Sequence, residues 1–371
     1  MIGHCGHAVE TPDEWETPDE KVRTIRQGEN DMITRRRFST IATGALLGAA
    51  GSTVSWNAEA ADAEFAYKFA TTAPADDPVS VHAQKVADRV NEATNGRMVI
   101  QVFPYGQLGT DSSLLSSVRS GAVEFINASD NLLSNVTAVS AVSAVGFAFR
   151  DYEEAWKSLD GDLGTLVRGN LGKFGITLMD RVWDSGFRQV YTATKPIDSV
   201  NDLAGLKIRV PVTPIVFSMF KGMGATPISI NFNEVYSALQ AHLADAMETA
   251  LIAFLNGKFY EVQKYCSLTN HSWSGYWIAA NAAAFNRLPK DLQDTVRSVM
   301  NETADEERQH SKKENLSTAE RLKQHSIAIN APTDTQSFRE SLRKNGYYQF
   351  WEQKIGPEAW AALEKYSGKL T

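Results

Sequence analysis

From about residue 65 the chain alternates short segments of period two with longer ones of period three to four. Phe65 to Ala70 predicts a strand. Asp76-Asp77-Pro78 predicts a helix start, because proline is accommodated in a first turn, and Val79, His82, Val86 and Val90 recur at helical spacing up to Asn95-Gly96. Met98 to Phe103 predicts a second strand. Asp111 to Ser120 predicts a helix with Leu114, Leu115 and Val118 on one side, and Val123 to Ala128 a third strand. This β-α-β-α-β order implies a parallel sheet with helices on its faces.

The middle of the chain continues the alternation. Helices are predicted over Tyr152 to Leu171, Pro214 to Lys221 and Asn233 to Leu243. Strands are predicted over Ile176 to Met179, Phe187 to Thr192, Leu206 to Val212 (cut by Pro211), Ala246 to Glu248 and Ile278 to Asn281. Leu288 to about Ser326 is charged and free of Pro and Gly after Pro289, which predicts one unusually long helix or two nearly collinear ones. Three shorter helices fit the tail, Thr335 to Lys344, Tyr347 to Lys354 and Pro357 to Tyr366. Two α/β halves joined by crossing segments enclose a cleft, and ligands of open α/β sheets sit outside the C-terminal strand ends.

The first 60 residues follow a different pattern. Residues 1–31 are polar and lack apolar periodicity. Met32 then opens a stretch in which Thr34-Arg35-Arg36-Arg37-Phe38 precedes an apolar, Gly- and Ala-rich run from Ile41 to Val54 and an Ala58-Glu59-Ala60 cleavage site. The paired arginines before Phe38 resemble a twin-arginine export signal, with Met32 as the true start. Of 371 residues, 37 are basic and 44 acidic, a net charge of −7. Residues 1–60 hold six of the basic and nine of the acidic residues, so the remainder carries −4. That balance argues against a nucleic-acid binder. Of the two cysteines only Cys266 follows the signal, so no internal disulfide is expected.

No metalloprotease, nucleophile-elbow or P-loop motif occurs, and the five histidines after residue 60 lack metal-ligand spacing. No cofactor or metal is expected. Two arginines stand out. In Leu206-Lys207-Ile208-Arg209-Val210-Pro211 the apolar positions face the core, and Arg209 lies on the other face near the strand end marked by Pro211. It reads as a solvated strand arginine or, at a cleft mouth, as an anion site. Arg188 enters a strand after the turn Trp183-Asp184-Ser185-Gly186. A guanidinium fork suits a carboxylate. Trp183, Phe232, Trp273, Tyr276 and Trp277 are aromatics for the cleft or for the core.

Gly205 to Pro211 resembles a signature of the solute-binding proteins of tripartite ATP-independent periplasmic (TRAP) transporters, the C4-dicarboxylate-binding-protein-like family. So do Asn233 to Gln240, Ala244 to Glu248, Lys258 to Tyr265, Leu268 to His271, Gln107-Leu108-Gly109 and Trp183 to Arg188, in the family's order from about residue 65 to 370. The resemblance implies an α/β, two-domain periplasmic-binding-protein-like fold with hinged sheets and a long helix across both domains. The domain expectation is residues 61–186 with 275–314, and 187–274 with 315–371. It implies that Arg209 pairs with a ligand carboxylate, that Arg188 contacts the same ligand and that Phe232 packs on it. Glu248 and Thr249 fall at polar contact positions, and Thr72 and Ser129 on loops facing the cleft. Thr249 replaces a usual asparagine, Ala246 a usual glycine, and Ser129 a carboxylate of the sialic-acid branch. The expected function is a non-enzymatic periplasmic receptor that binds a small organic acid and delivers it to TRAP membrane subunits, after export by the twin-arginine machinery. An exported enzyme and a receptor feeding a sensor kinase are the alternatives.

Overall fold

The structure, a computed structural model, describes residues 63–371. The export-signal reading of Met32, Thr34 to Phe38 and Ala58 to Ala60 lies outside the described residues. In chain order the strands are β1 (Phe65–Ala70), β2 (Met98–Phe103), β3 (Phe125–Ser129), β4 (Ile176–Leu178), β5 (Trp183–Thr192), β6 (Lys207–Val210), β7 (Thr226–Ser229), β8 (Ala246–Ala250), β9 (Tyr265–Asn281) and β10 (Ala328–Asn330). The helices are α1 (Pro78–Ala93), α2 (Asp111–Ser120), α3 (Asp130–Leu133), α4 (Tyr152–Asp160), α5 (Asp162–Gly172), α6 (Pro214–Gly222), α7 (Val235–Gln240), α8 (Leu251–Asn256), α9 (Ala282–Arg287), α10 (Lys290–Gln324), α11 (Gln336–Lys344), α12 (Tyr347–Ile355) and α13 (Pro357–Ser367).

The fold is α/β. Its strands join in the order β2-β1-β3-β9-β5-β8-β6-β7, with β4 and β10 also pairing β9. The first half contributes parallel β2-β1-β3, and the second parallel β8-β6-β7. The two hinged sheets expected from the sequence run into one another through the antiparallel pair β5 and β9. β9 spans 17 residues, and only its last four were predicted as strand. Its Tyr276 to Ala280 stretch pairs with β3, while Tyr265 to Ser267 pairs with β10. The register of β5 on β9 shifts between Asp184 and Gly186 and again between Arg188 and Val190. These bulges lie where the chain crosses between the halves.

The predicted helix from Tyr152 to Leu171 is two helices, broken at Gly161, whose ψ of −143° is not helical. The long helix α10 has 35 residues and is therefore about 52 Å long. Leu292, Val296, Met300 and Ala304 pack against α1 and β1, and Leu322 enters a separate core with Leu239, Phe254 and Cys266 of the second half. Midway the helix is polar yet buried. Glu307 accepts from the Asp184 amide at 2.7 Å, Asn315 donates to the Ser185 carbonyl at 3.0 Å, and Arg308 donates to the Val182 carbonyl at 2.7 Å. Ser185 lies in the β5 bulge and Val182 just before the strand, and the helix supplies partners for these backbone groups. Gly186 holds a φ of 110°, and a Cβ there would meet the Asn315 amide at 2.6 Å.

Residues 315–371, grouped by sequence with the second half, touch both halves. Helix α13 packs on α4 and α5, and Tyr366 donates to Asp162 at 3.2 Å. The tail carries Tyr347, Tyr348, Trp351, Trp360 and Leu363, and one large apolar cluster buries them with residues of both halves. Among the described residues no helix is long and apolar enough to cross a membrane.

Candidate functional site

Short connections at the strand ends build the two walls of a cleft. Thr72, Ala73 and Asp77 follow β1, Asp111 opens α2, and Asn127 to Asn131 close β3. Arg209 and Pro211 end β6, Phe232 follows β7, Thr249 sits on β8, and Arg188 and Tyr276 come from the shared strands. Loops here are short because the strands stop at proline or at helix caps: Asp77 caps α1 and Ser129 caps α3 by accepting from the Leu132 amide at 3.1 Å.

Arg209 is 2% exposed. Its Nε and one Nη donate to the Ile230 carbonyl at 3.0 and 2.7 Å. No carboxylate among the described residues forms an ion pair with it, and it lines the cleft. Burial lowers it to about 10, so the guanidinium keeps its charge at neutral pH. A desolvated cation oriented by a carbonyl, with further N–H donors toward a cleft, is suited to a carboxylate.

Arg188 is also buried but is already neutralised. Its Nε and Nη donate to the two carboxylate oxygens of Glu248 at 2.5 and 2.7 Å. Burial opposes the charge on Glu248, but Arg188 and His271 outweigh it and hold the carboxyl down to about 2. His271 Nε2 lies 3.1 Å from Glu248, and its Nδ1 lies 2.9 Å from the Thr269 hydroxyl. Burial lowers the His271 pKa, so the neutral ring donates from Nε2 and accepts at Nδ1.

Of the residues expected from the sequence, Thr72, Ser129, Arg188, Arg209, Phe232 and Thr249 line the cleft, and Glu248 stands behind Arg188. Phe232 is fixed edge-on against Phe259 at 5.6 Å. Trp183 and Trp273 do not line it. Trp183 is fully buried beside Phe69 and His82, and Trp273 packs on Phe149 and points its indole N–H at Asp184. The core reading holds for both, because β5 and β9 are covered on both faces. Asp77, Asp111, Asn127, Asn131 and His271 were not singled out. The ends of β1 and β3 in a parallel sheet were the available signal for three of them.

Several hydrogen bonds cross the cleft, and Thr72 holds Asp111 from its own side. Asp111 accepts from the Phe232 amide at 3.1 Å and from Thr72 at 2.7 Å. Ser112 donates to Asn231 at 3.0 Å, Asn256 to Asp77 at 3.0 Å and Asn135 to the Val212 carbonyl at 2.8 Å. The enclosed space is only ≈ 60 Å³. The two walls thus meet through these hydrogen bonds.

Residues 69–354 match the family model of bacterial extracellular solute-binding proteins, family 7. The chain belongs to that family. A 2,3-diketo-L-gulonate-binding periplasmic protein of Escherichia coli is 30% identical over 72% of this chain and 81% of its own. A TRAP periplasmic solute-binding protein of Xanthobacter autotrophicus, solved with β-D-galacturonate, is 28% identical with a TM-score of 0.77 over 81% of this chain and 99% of that one. One of Sulfurospirillum deleyianum, solved with succinate, is 27% identical with a TM-score of 0.77 over 82% and 99%. The protein is therefore a solute-binding receptor of the TRAP type, and these family members are binding proteins.

At the start of β5 the buried acid Asp184 accepts from Trp156 at 2.6 Å and from Trp273 at 3.3 Å. Burial pushes it up to about 7 despite those donors. A folded pKa above the unfolded value of 3.8 stabilises fully below about pH 4, and the contribution is lost as pH rises through 7. Asp184→Asn keeps an acceptor for the indoles and removes the titration. Its unfolding free energy is expected to fall less between pH 4 and 7 than the wild type's, measured by urea denaturation across that range. Parallel curves would contradict the assignment.

Proposed function

We propose that the protein captures a small organic acid in the periplasm and hands it to TRAP membrane subunits without altering it. The observation that carries this reading is the buried, carboxylate-free Arg209 guanidinium at the cleft. Its charge meets the ligand's carboxylate where little water screens it. Arg188, held by Glu248, presents its remaining N–H group beside it, Phe232 covers the ligand's body, and Thr72, Ser129 and Thr249 line the remaining polar wall. Closure about β5 and β9 is then the state the membrane partner reads. The Arg35-Arg36-Arg37-Phe38 stretch supports export through the twin-arginine route, with Met32 as the start.

Proteoliposomes carrying the cognate membrane subunits test the reading. Uptake of labelled acid is expected only when the purified receptor is added, and the acid is recovered chemically unchanged. Conversion of the acid by the receptor alone would instead make it an exported enzyme.

A further inference from the structure

The cleft carries more than one charge, and their arrangement limits the kind of acid it accepts. Among the described residues two cations line it, Arg188 and Arg209, and no lysine or histidine does. Arg188 is matched one to one by Glu248 in a bidentate pair. Only Arg209 is left for an incoming anion. The opposite wall carries Asp77 and Asp111. Asp111 is held facing the second half by the Thr72 hydroxyl and the Phe232 amide, and Asp77 by Asn256. A ligand with one carboxylate on Arg209 therefore extends toward negative charge.

That wall also holds unused hydrogen-bonding capacity. Asn131 is 1% exposed and lines the cleft, yet neither its amide nitrogen nor its amide oxygen has a partner. The amide oxygen of Asn127 beside it is also unpartnered. Buried polar atoms without partners are rare in native structures, and each points to a group that satisfies it. An amide offers both donor and acceptor, and a carboxylate offers only acceptors. Ligand hydroxyls match that set, because each can donate to Asp111 or the Asn oxygens and accept from the Asn131 amide. A second ligand carboxylate matches none of the acceptors and is repelled by Asp77 and Asp111.

We infer that the acid is a polyhydroxylated monocarboxylate, a sugar acid rather than a dicarboxylate, with Arg209 taking its single charge and Asn131, Asn127 and Asp111 reading its hydroxyls. This rests on the carboxylate reading of Arg209. A like charge facing two carboxylates is the disfavoured arrangement, so discrimination arises from repulsion as well as from contact.

Calorimetry on the purified receptor tests it with erythronate and succinate, which share four carbons and differ in charge, together with galactonate and galacturonate. At least one of the hydroxy monocarboxylates is expected to bind 100-fold or more tighter than succinate. Asn131→Ala, which removes an unpartnered side chain and so leaves the fold intact by melting temperature, is expected to weaken that acid about tenfold. Succinate binding as tightly as every hydroxy acid would overturn the inference and leave the carboxylate receptor standing. An unchanged affinity in Asn131→Ala would overturn the hydroxyl assignment. Failure of all four acids to bind would overturn the carboxylate reading itself.

Discussion

Arg209→Ala is expected to weaken binding of the cognate acid by about 2–5 kcal/mol, roughly 30- to 5,000-fold. The ligand carboxylate would enter a desolvated pocket and find the Ile230 carbonyl where the guanidinium had been. Folding stability is expected to stay level or to rise, because the variant removes a buried cation that has no carboxylate partner. Arg209→Lys is expected to recover part of the affinity, since an ammonium keeps the charge and loses the fork. Isothermal titration paired with thermal melting separates the two effects. Unchanged affinity in Arg209→Ala would remove this residue from the site.

The second large effect lies behind the cleft and concerns folding. Glu248→Ala is expected to destabilise the protein by about 3–5 kcal/mol at neutral pH, because it leaves Arg188 buried without its counter-charge. The double variant Glu248→Leu with Arg188→Leu is expected to recover most of that loss, since paired apolar replacements need no compensation. In the wild type, Glu248 at about 2 contributes stability that is present above the ordinary glutamate value of 4.5 and is lost as pH falls toward 2. Urea denaturation at pH 7 and pH 3 reads both expectations. A Glu248→Ala protein as stable as wild type at pH 7 would show that the pair adds nothing to the fold.

Much of the architecture was legible because it rests on local signals. Pro78 and Asp77 set the start of α1, and the absence of Pro and Gly after Pro289 marked α10 almost to its ends. Arg209 was legible for a related reason, since Pro211 stops its strand beside the cleft. What the sequence hid is long-range. β9 read as a four-residue strand because Ser272, Ser274 and Gly275 break its apolar run, and because a strand covered on both faces shows no alternation. Glu307, Arg308 and Asn315 lie within the charged helix, where no local pattern marks them. They are buried because the chain from Val182 to Ser185, at the start of β5, presents backbone groups to them. Glu248 read as a ligand contact, whereas its carboxylate is spent on Arg188, 60 residues away in sequence. That pairing depends on β5 and β8 lying side by side, which no local pattern records.

The most direct measurement is a crystal structure of the receptor with the tightest-binding acid from the titration panel. Its carboxylate is expected within hydrogen-bond distance of the Arg209 guanidinium, with the Arg188–Glu248 pair intact and Phe232 over the ligand's body. A ligand whose carboxylate lies elsewhere in the cleft, with Arg209 still bonded only to the Ile230 carbonyl, would contradict it.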